Sequence, residues 1–416
     1  MEIYDGLSGL YNKWGFFSKV QEILKNDRET DYQIICFNIK SFKLVNDLFG
    51  IPAGDKLIKQ IADTLKEKEY LGSVCTRLEA DKFSILVSRK NAGQMIDLLL
   101  KTQFHVESDS SYVVHIDIGV YEIDDKKLPV SIMCDRAHIA LATIKEDRGT
   151  QVAFFKETMR EQMLKEQFLC GELQRAIKNR EMKMYLQGLY DSDKNMIGAE
   201  ALVRWNHPQK GVIAAGDFVE ILERNGLIAN LDIYIWELAC WQLQKWKSKG
   251  KDDLFLAVNI SARDFECIDV CEVLINLVHK YEISPEKLRI ELTETALMKD
   301  INRNLKVINY LRANGFIVEI DDFGSGYSSL NMLKDIVADV IKLDMKFLQK
   351  SHDEERSKTI LQVMVELGKK LDMQVIVEGV ETQEQFELLK DYKCDTFQGY
   401  YLMRPMDVFN FEKQCE

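Results

Sequence analysis

The chain has 416 residues, of which 46% are apolar and 29% charged, with a formal net charge of −12. That length exceeds one ordinary hydrophobic core, so two domains are expected. The acidic balance argues against a nucleic-acid polymer as partner, because phosphate-backbone binding needs a basic face; the lack of any run of about 18 apolar residues argues against a membrane span.

The opening Met1-Glu2-Ile3-Tyr4-Asp5 has neither the charge nor the apolar stretch of a signal peptide. Nine cysteines, scattered and odd in number, fit a reducing cytoplasm. Cys267 and Cys271 are four apart without a second ligand pair nearby, so no zinc site is expected. In the first part, Ile34–Ile39, Phe83–Val87 and Tyr112–Ile118 read as strands. Asp55–Leu65 carries apolar residues at 57, 58, 61, 62 and 65, a helical stripe. Residues 1–155 therefore read as an α+β domain with a central sheet.

Residues 156–180 read as a connecting helix, with Met159, Met163, Phe168, Leu173 and Ile177 at roughly helical spacing. No Gly/Ser-rich or Pro-rich linker interrupts it. From 181 to 416 the pattern alternates regularly. Strands are expected at 182–190, 196–204, 254–260, 288–293, 316–321, 339–343, 374–378 and 394–400. Helices are expected at 231–248, 270–281, 302–314, 357–371 and 382–391. Eight strands with intervening helices favour an α/β (β/α)8 TIM-like barrel over an open sheet.

An acidic, amide or ammonium residue ends or interrupts one apolar run after another: Glu200, Asn259, Glu291, Asp321-Asp322, Lys342 and Glu378. From Asn259 onward, each follows the last after about one strand-plus-helix length. Such a barrel builds its active site at the C-terminal ends of its strands. Five carboxylates and an amide in one pocket need cations, and hard oxygen ligands suit Mg²⁺ or Mn²⁺. Metals in such a site also reverse its charge, which makes a small phosphate ligand compatible with an acidic chain.

At this point the residues match a known family. The segment 156–416 resembles an EAL domain, the cyclic di-GMP phosphodiesterase barrel. The motifs stand in family order: Glu200-Ala201-Leu202, Asn259-Ile260-Ser261, Glu291-Leu292-Thr293-Glu294, Asp321-Asp322-Phe323-Gly324-Ser325-Gly326, Ile341-Lys342-Leu343-Asp344, Val377-Glu378-Gly379-Val380-Glu381 and Phe397-Gln398-Gly399. Residues 1–155 resemble a degenerate GGDEF domain, the diguanylate cyclase fold. Asp5–Lys13 is similar to its opening segment, but the signature reads Glu79-Ala80-Asp81-Lys82-Phe83, with both glycines gone and Lys82 in place of an acid.

The resemblance implies two metal ions. Glu200, Asn259, Glu291 and Asp321 would surround one, and Asp321, Asp322 and Glu378 the second. Ions about 3.5–4 Å apart can share a water and stabilise charge developing on a phosphate. Lys342, kept charged by neighbouring anions, is expected to orient water or stabilise charge rather than act as a base. Gln187, Leu202, Arg204, Glu381 and Gln398 match positions near the substrate, and Arg204 could clamp a phosphate. Glu294 and the loop of Gly324, Ser325 and Gly326 match the segment that orders the metal site and the dimer contact. A homodimer through the EAL domain is thereby implied. One departure is Leu186-Gln187-Gly188 where the family carries Tyr-Gln-Pro; glycine loosens the backbone there.

The expected reaction is hydrolysis of cyclic di-GMP to linear pGpG. The alternative is a catalytically silent cyclic di-GMP receptor, against which the intact ligand set weighs. In the first domain, Asn38 and Lys40 stand where the family has two aspartates, so no cyclase activity is expected. Asn46 and Asp55 match guanine contacts. That leaves a scaffold and dimerisation module as one reading and GTP binding as a regulatory input as the other. A trimmed N-terminal sensor domain and a stand-alone form fit the opening equally.

Overall fold

The computed structural model describes residues 3–67, 72–102, 104–105, 113–144, 149–298, 300–323, 338–345 and 354–414. It divides into two compact units, Met1–Lys165 and Glu166–Glu416, with the division inside the helix Glu157–Lys178.

The first unit is built on a five-stranded sheet. Its order is Val74–Glu79, Lys82–Ser88, Tyr32–Ile39, Ile116–Glu122, Val152–Phe154. The central strand alternates its faces, as strand geometry requires. Ile35, Phe37 and Ile39 pack with Leu57, Ile61 and Leu65 of the helix Ile51–Lys66 and with Met95 and Leu99 of Arg89–Lys101. Ile34 and Cys36 pack with Phe16, Val20 and Leu24 of Lys13–Asn26 and with Met133 and Ala137 of Val130–Ala142. Gly119 lets that last helix approach closely, since a Cβ there would lie 2.1 Å from the Ala137 carbonyl oxygen. The helices 13–26, 89–101 and 130–142 were not among the expected elements.

In the second unit eight strands close into a barrel. In ring order they are Met182–Tyr190, Met196–His207, Phe255–Asn259, Leu288–Thr293, Val318–Asp321, Val340–Asp344, Gln374–Glu378 and Thr396–Phe397. Neighbours from the second strand to the eighth run parallel. The first strand runs antiparallel to both of its neighbours. This corrects the expectation of uniform strand–helix alternation. The link at 191–195 is too short for a crossover helix and makes a hairpin instead. The expected last strand, 394–400, shrinks to Thr396–Phe397.

The barrel interior is filled on one level by Leu189, Phe255, Val340 and Ile376, with Ile197 and Ile317 packed against them. The larger core lies between strands and outer helices and includes Trp205, Trp236, Phe218 and Leu274. No helix among the described residues is long and apolar enough to cross a membrane.

Asp339 stitches strand starts to the outer helices. It receives a two-pronged grip from Arg312 (Nη2–Oδ1 2.8 Å, Nε–Oδ2 3.0 Å) and accepts the Val318 N–H at 2.9 Å. Asp339→Ala is expected to lower barrel stability by about 2 kcal/mol, the scale of hydrogen bonds to a charged group. Denaturant unfolding followed by Trp fluorescence measures it; a change under about 0.5 kcal/mol would show that the fork is not structural.

Candidate active site

The parallel strands end on one rim of the barrel, and their side chains meet there. Asn259, Asp321 and Glu378 are the final residues of their strands. Glu291 pairs in register with Asn259, and Asp344 with Glu378. Glu200 projects from the middle of the long strand Met196–His207. Lys342 is 1% exposed and sits among the acids. Its Nζ lies 2.5 Å from Glu291, 3.5 Å from Glu200 and 3.7 Å from Asp321, and it forms an ion pair with Glu378. Carboxylate oxygens of Glu200, Glu291 and Glu378 all lie within 4.8 Å of one another.

Electrostatics make this arrangement costly without cations. Burial pushes Glu378 up to about 8, with Asp321 and Glu200 adding to the shift against the opposing pull of Lys342. Burial also raises Glu291 well above its ordinary range, and the negative charge of Glu200 reinforces it. For Lys342, burial favours the neutral form, but the four surrounding carboxylates outweigh it and hold the ammonium protonated. One ammonium does not balance four carboxylates. Glu291 Oε2 and Asp321 Oδ1 are buried without a hydrogen-bond donor. An all-oxygen donor set with such open acceptors fits a hard divalent cation.

The other expected residues distribute as follows. Asn259 donates to Glu200 Oε1 at 3.4 Å, and Gln398 to Glu200 Oε2 at 2.8 Å. Gln187 is buried and donates to the Met403 carbonyl at 3.2 Å. Leu202 lines a cavity of about 900 Å³ that opens beside Glu200 and Asn259. Arg204 donates to the Val203 carbonyl at 2.7 Å, with its guanidinium 5.9 Å from the Tyr185 ring. Glu381 is exposed beside the N-terminus of the helix Gln383–Asp391. Glu294 is buried and starts the short helix Glu294–Met298. Asp322 has φ +53°, a left-handed turn that takes the chain off its strand directly after Asp321. Gly324, Ser325 and Gly326 lie outside the described residues. Gly188 has a steric cause, because a Cβ there would come within 2.8 Å of the Tyr190 ring.

In the first unit, Asn46 Oδ1 is buried without a hydrogen-bond partner and packs against Gly54, where a Cβ would lie 2.1 Å away. Asp55 is half-buried one residue later. Asn38 ends up with its side-chain oxygen buried near the end of the central strand. Lys82 pairs with Glu79 at 2.9 Å across the signature hairpin.

Two features escaped the reading of motifs. Trp236, a core residue, also donates from Nε1 to the Asn259 carbonyl at 3.0 Å. Glu319, fully buried, takes Arg289 at 3.1 Å, and that guanidinium lies 3.5 Å from the Phe255 ring centroid. The signal for Glu319 was present: it is a charge inside an apolar run, two positions before Asp321 and so on the same strand face.

Residues 171–405 match the EAL domain family, more than half of the chain. The chain belongs to the EAL domain family. Residues 2–151 match the diguanylate cyclase GGDEF domain, so a GGDEF domain precedes the EAL domain. MucR of Pseudomonas aeruginosa, a bifunctional diguanylate cyclase/cyclic di-GMP phosphodiesterase, is 29% identical over 98% of this chain and 60% of its own length. The signaling protein YkoW of Bacillus subtilis is 30% identical over 99% of this chain and 53% of its own length. The chain thus spans roughly half to three-fifths of the length of the curated relatives it matches. The PaMucR phosphodiesterase in complex with c-di-GMP is similar over 59% of this chain and 99% of that one, with 35% identity and a TM-score of 0.56. Apo Vibrio cholerae LapD, S helix–GGDEF–EAL, is 19% identical with a TM-score of 0.52 over 97% of this chain and 96% of that one, a likeness of fold.

A pH dependence follows for the metal-free EAL domain. The folded pKa values of Glu291 and Glu378 are raised above their unfolded value of 4.5. Their contribution to stability is therefore full below pH 4.5 and is lost as pH rises through about 8 for Glu378. The melting temperature without metal is expected to fall between pH 5 and pH 8 (about 1.4 kcal/mol per unit of pKa shift), and Mn²⁺ is expected to reverse the fall. Differential scanning fluorimetry across that range, with and without Mn²⁺, reads both effects.

Proposed function

We propose that the chain hydrolyses cyclic di-GMP to linear pGpG with divalent metal ions. The observation that carries this reading is the convergence of Glu200, Glu291, Asp321 and Glu378 around Lys342 at the rim of a barrel in the EAL family. It is supported by the 35% identity to the PaMucR phosphodiesterase, which was solved with c-di-GMP. In this reading Glu200, Asn259, Glu291 and Asp321 hold one Mg²⁺ or Mn²⁺ ion, and Asp321, Asp322 and Glu378 a second. Bound there, such ions would supply a water of lowered pKa and offset the charge on the phosphate.

The chain's own side chains do the rest. Water adds across one P–O bond, leaving a phosphate monoester and a free hydroxyl. Lys342 stays protonated, and it orients the water or neutralises charge as the bond breaks. Gln398 fixes the second oxygen of Glu200, so that its first oxygen faces Asn259. Leu202, which lines the cavity beside Glu200, takes the substrate together with Arg204, Gln187 and Glu381. The EAL domain forms a homodimer, with Glu294 coupling that contact to the metal site. The domains are assigned as 1–155, a linking helix at 156–180, and 181–416.

The GGDEF domain does not make cyclic di-GMP. Asn38 and Lys40 cannot replace two metal-binding carboxylates, and Lys82 brings a positive charge to the signature. It serves as a scaffold, and Asn46 and Asp55 make GTP its candidate regulatory ligand.

Purified protein with Mg²⁺ or Mn²⁺ is expected to convert cyclic di-GMP to pGpG, and EDTA to stop it. Glu200→Ala is expected to reduce turnover to background while leaving the fold intact by circular dichroism. Tight binding of cyclic di-GMP without turnover would establish the silent-receptor reading instead. Stimulation by GTP would assign the GGDEF domain as regulator.

A further inference from the structure

We propose that Glu319 is a positioning residue for the carboxylate rim: it holds the Arg289 guanidinium one layer beneath the rim, so that Glu291 and Asp321 keep their oxygens for a divalent cation. The proposal rests on the metal-site reading above. It concerns two charged residues of the barrel interior that are not among the proposed ligands.

Side chains alternate along a strand, so every second residue shares a face. Arg289 therefore lies one step below Glu291, and Glu319 one step below Asp321. Gly198 stands likewise below Glu200, Val340 below Lys342 and Ile376 below Glu378. That lower level has an apolar cluster of Leu189, Phe255, Val340 and Ile376. Beside it the strands Leu288–Thr293 and Val318–Asp321 bring one cation and one acid. Glu319 has no exposed surface, and its Oε1 accepts from Arg289 Nη1 at 3.1 Å. The guanidinium lies over the Phe255 ring, 3.5 Å from its centroid. That ring has its place because residue 198 is glycine; a Cβ there would come within 2.6 Å of it.

Stability does not account for such a pair. Barrel interiors are ordinarily filled by bulky apolar side chains. Replacing a buried ion pair with apolar residues of similar volume is often neutral or stabilising. Nor is this pair built as a fastener. Arg312 grips Asp339 with two prongs, whereas Arg289 gives Glu319 one hydrogen bond. Arg289 Nε and Glu319 Oε2 are both buried with no partner.

The rim above supplies the reason. Two residues along a strand span about 6.6 Å, within the reach of an extended arginine. Glu291 Oε2 and Asp321 Oδ1 have no donor. A guanidinium that moved up to them would occupy the lone pairs a metal needs, and would set a permanent positive charge beside it. Glu319 gives that charge a partner at the lower level, and Phe255 gives its flat face a seat. Lys342, 2.5 Å from Glu291, is left as the cation of the rim. Removing the acid alone frees the guanidinium to compete with the metal. Removing both charges leaves nothing to restrain.

The test uses full-length protein as wild type, Glu319→Leu, Glu319→Gln and Arg289→Met/Glu319→Leu. Mn²⁺ alone is the probe: its affinity is read by titration calorimetry, and melting temperature is measured with and without it. Glu319→Leu is expected to bind Mn²⁺ about tenfold more weakly, the lower end of what losing a partner behind a metal ligand costs. It is also expected to gain less in melting temperature from Mn²⁺. The double variant is expected to recover the wild-type affinity. Glu319→Gln keeps an acceptor of the same volume without the charge, and is expected to fall between wild type and Glu319→Leu; it carries the comparison if Glu319→Leu does not fold. Wild-type Mn²⁺ affinity in the single variants would overturn the proposal. So would a double variant as weak as the single one, since the loss would then be one of packing. If wild type itself binds no Mn²⁺, the metal-site reading fails and takes the proposal with it. If the contrast between variants appears without cleavage of cyclic di-GMP, the positioning role stands and the phosphodiesterase reading fails.

Discussion

Four carboxylates share one ammonium where the barrel strands end, and most of the surrounding architecture follows from that imbalance. Like charges brought this close out of water repel by several kcal/mol. They stay together only because each is fixed by a strand that cannot slide and because something positive is supplied. Lys342 supplies part of it, from the same rim. The neighbours divide the remaining task. Gln398 and Asn259 hold the two oxygens of Glu200, and Trp236 holds the Asn259 backbone. A rim of this kind offers oxygen donors of the type that suit a hard cation.

Much of this was legible before any coordinates. Apolar runs ended by Asn259, Asp321 or Glu378 mark strand ends, because strand alternation and its termination are local properties. Strand direction is not local. The run at 182–190 looks like the others, and only the brevity of 191–195 betrays the hairpin. Pairings between distant segments were equally hidden. Nothing near Arg289 names Glu319, although a charge inside an apolar run should have drawn notice. Gly188 read as a loosening; in the fold it makes room for Tyr190.

The two domains show how a frame and its chemistry separate. The GGDEF domain keeps a complete sheet with helices on both faces. Its core residues are apolar and packed, while Asn38, Lys40 and Lys82 carry no carboxylate. Packing depends on volume and pattern, which such residues leave alone. In the EAL domain a closed barrel and a cluster of carboxylates occur together.

The closure of the barrel is uneven. Along its hairpin partner the first strand is matched at nine positions, from Met182 to Tyr190. On its other side Thr396–Phe397 meets it at Phe397 and Tyr190, with Met406 and Asp407 pairing further along. That seam has few backbone bonds to break, so amide exchange with solvent should be faster there than along the hairpin. Gln398 stands directly beside it, holding Glu200 from across the gap. A thinly paired joint of this barrel thus lies next to the carboxylate cluster, and each breath of the seam slackens Glu200.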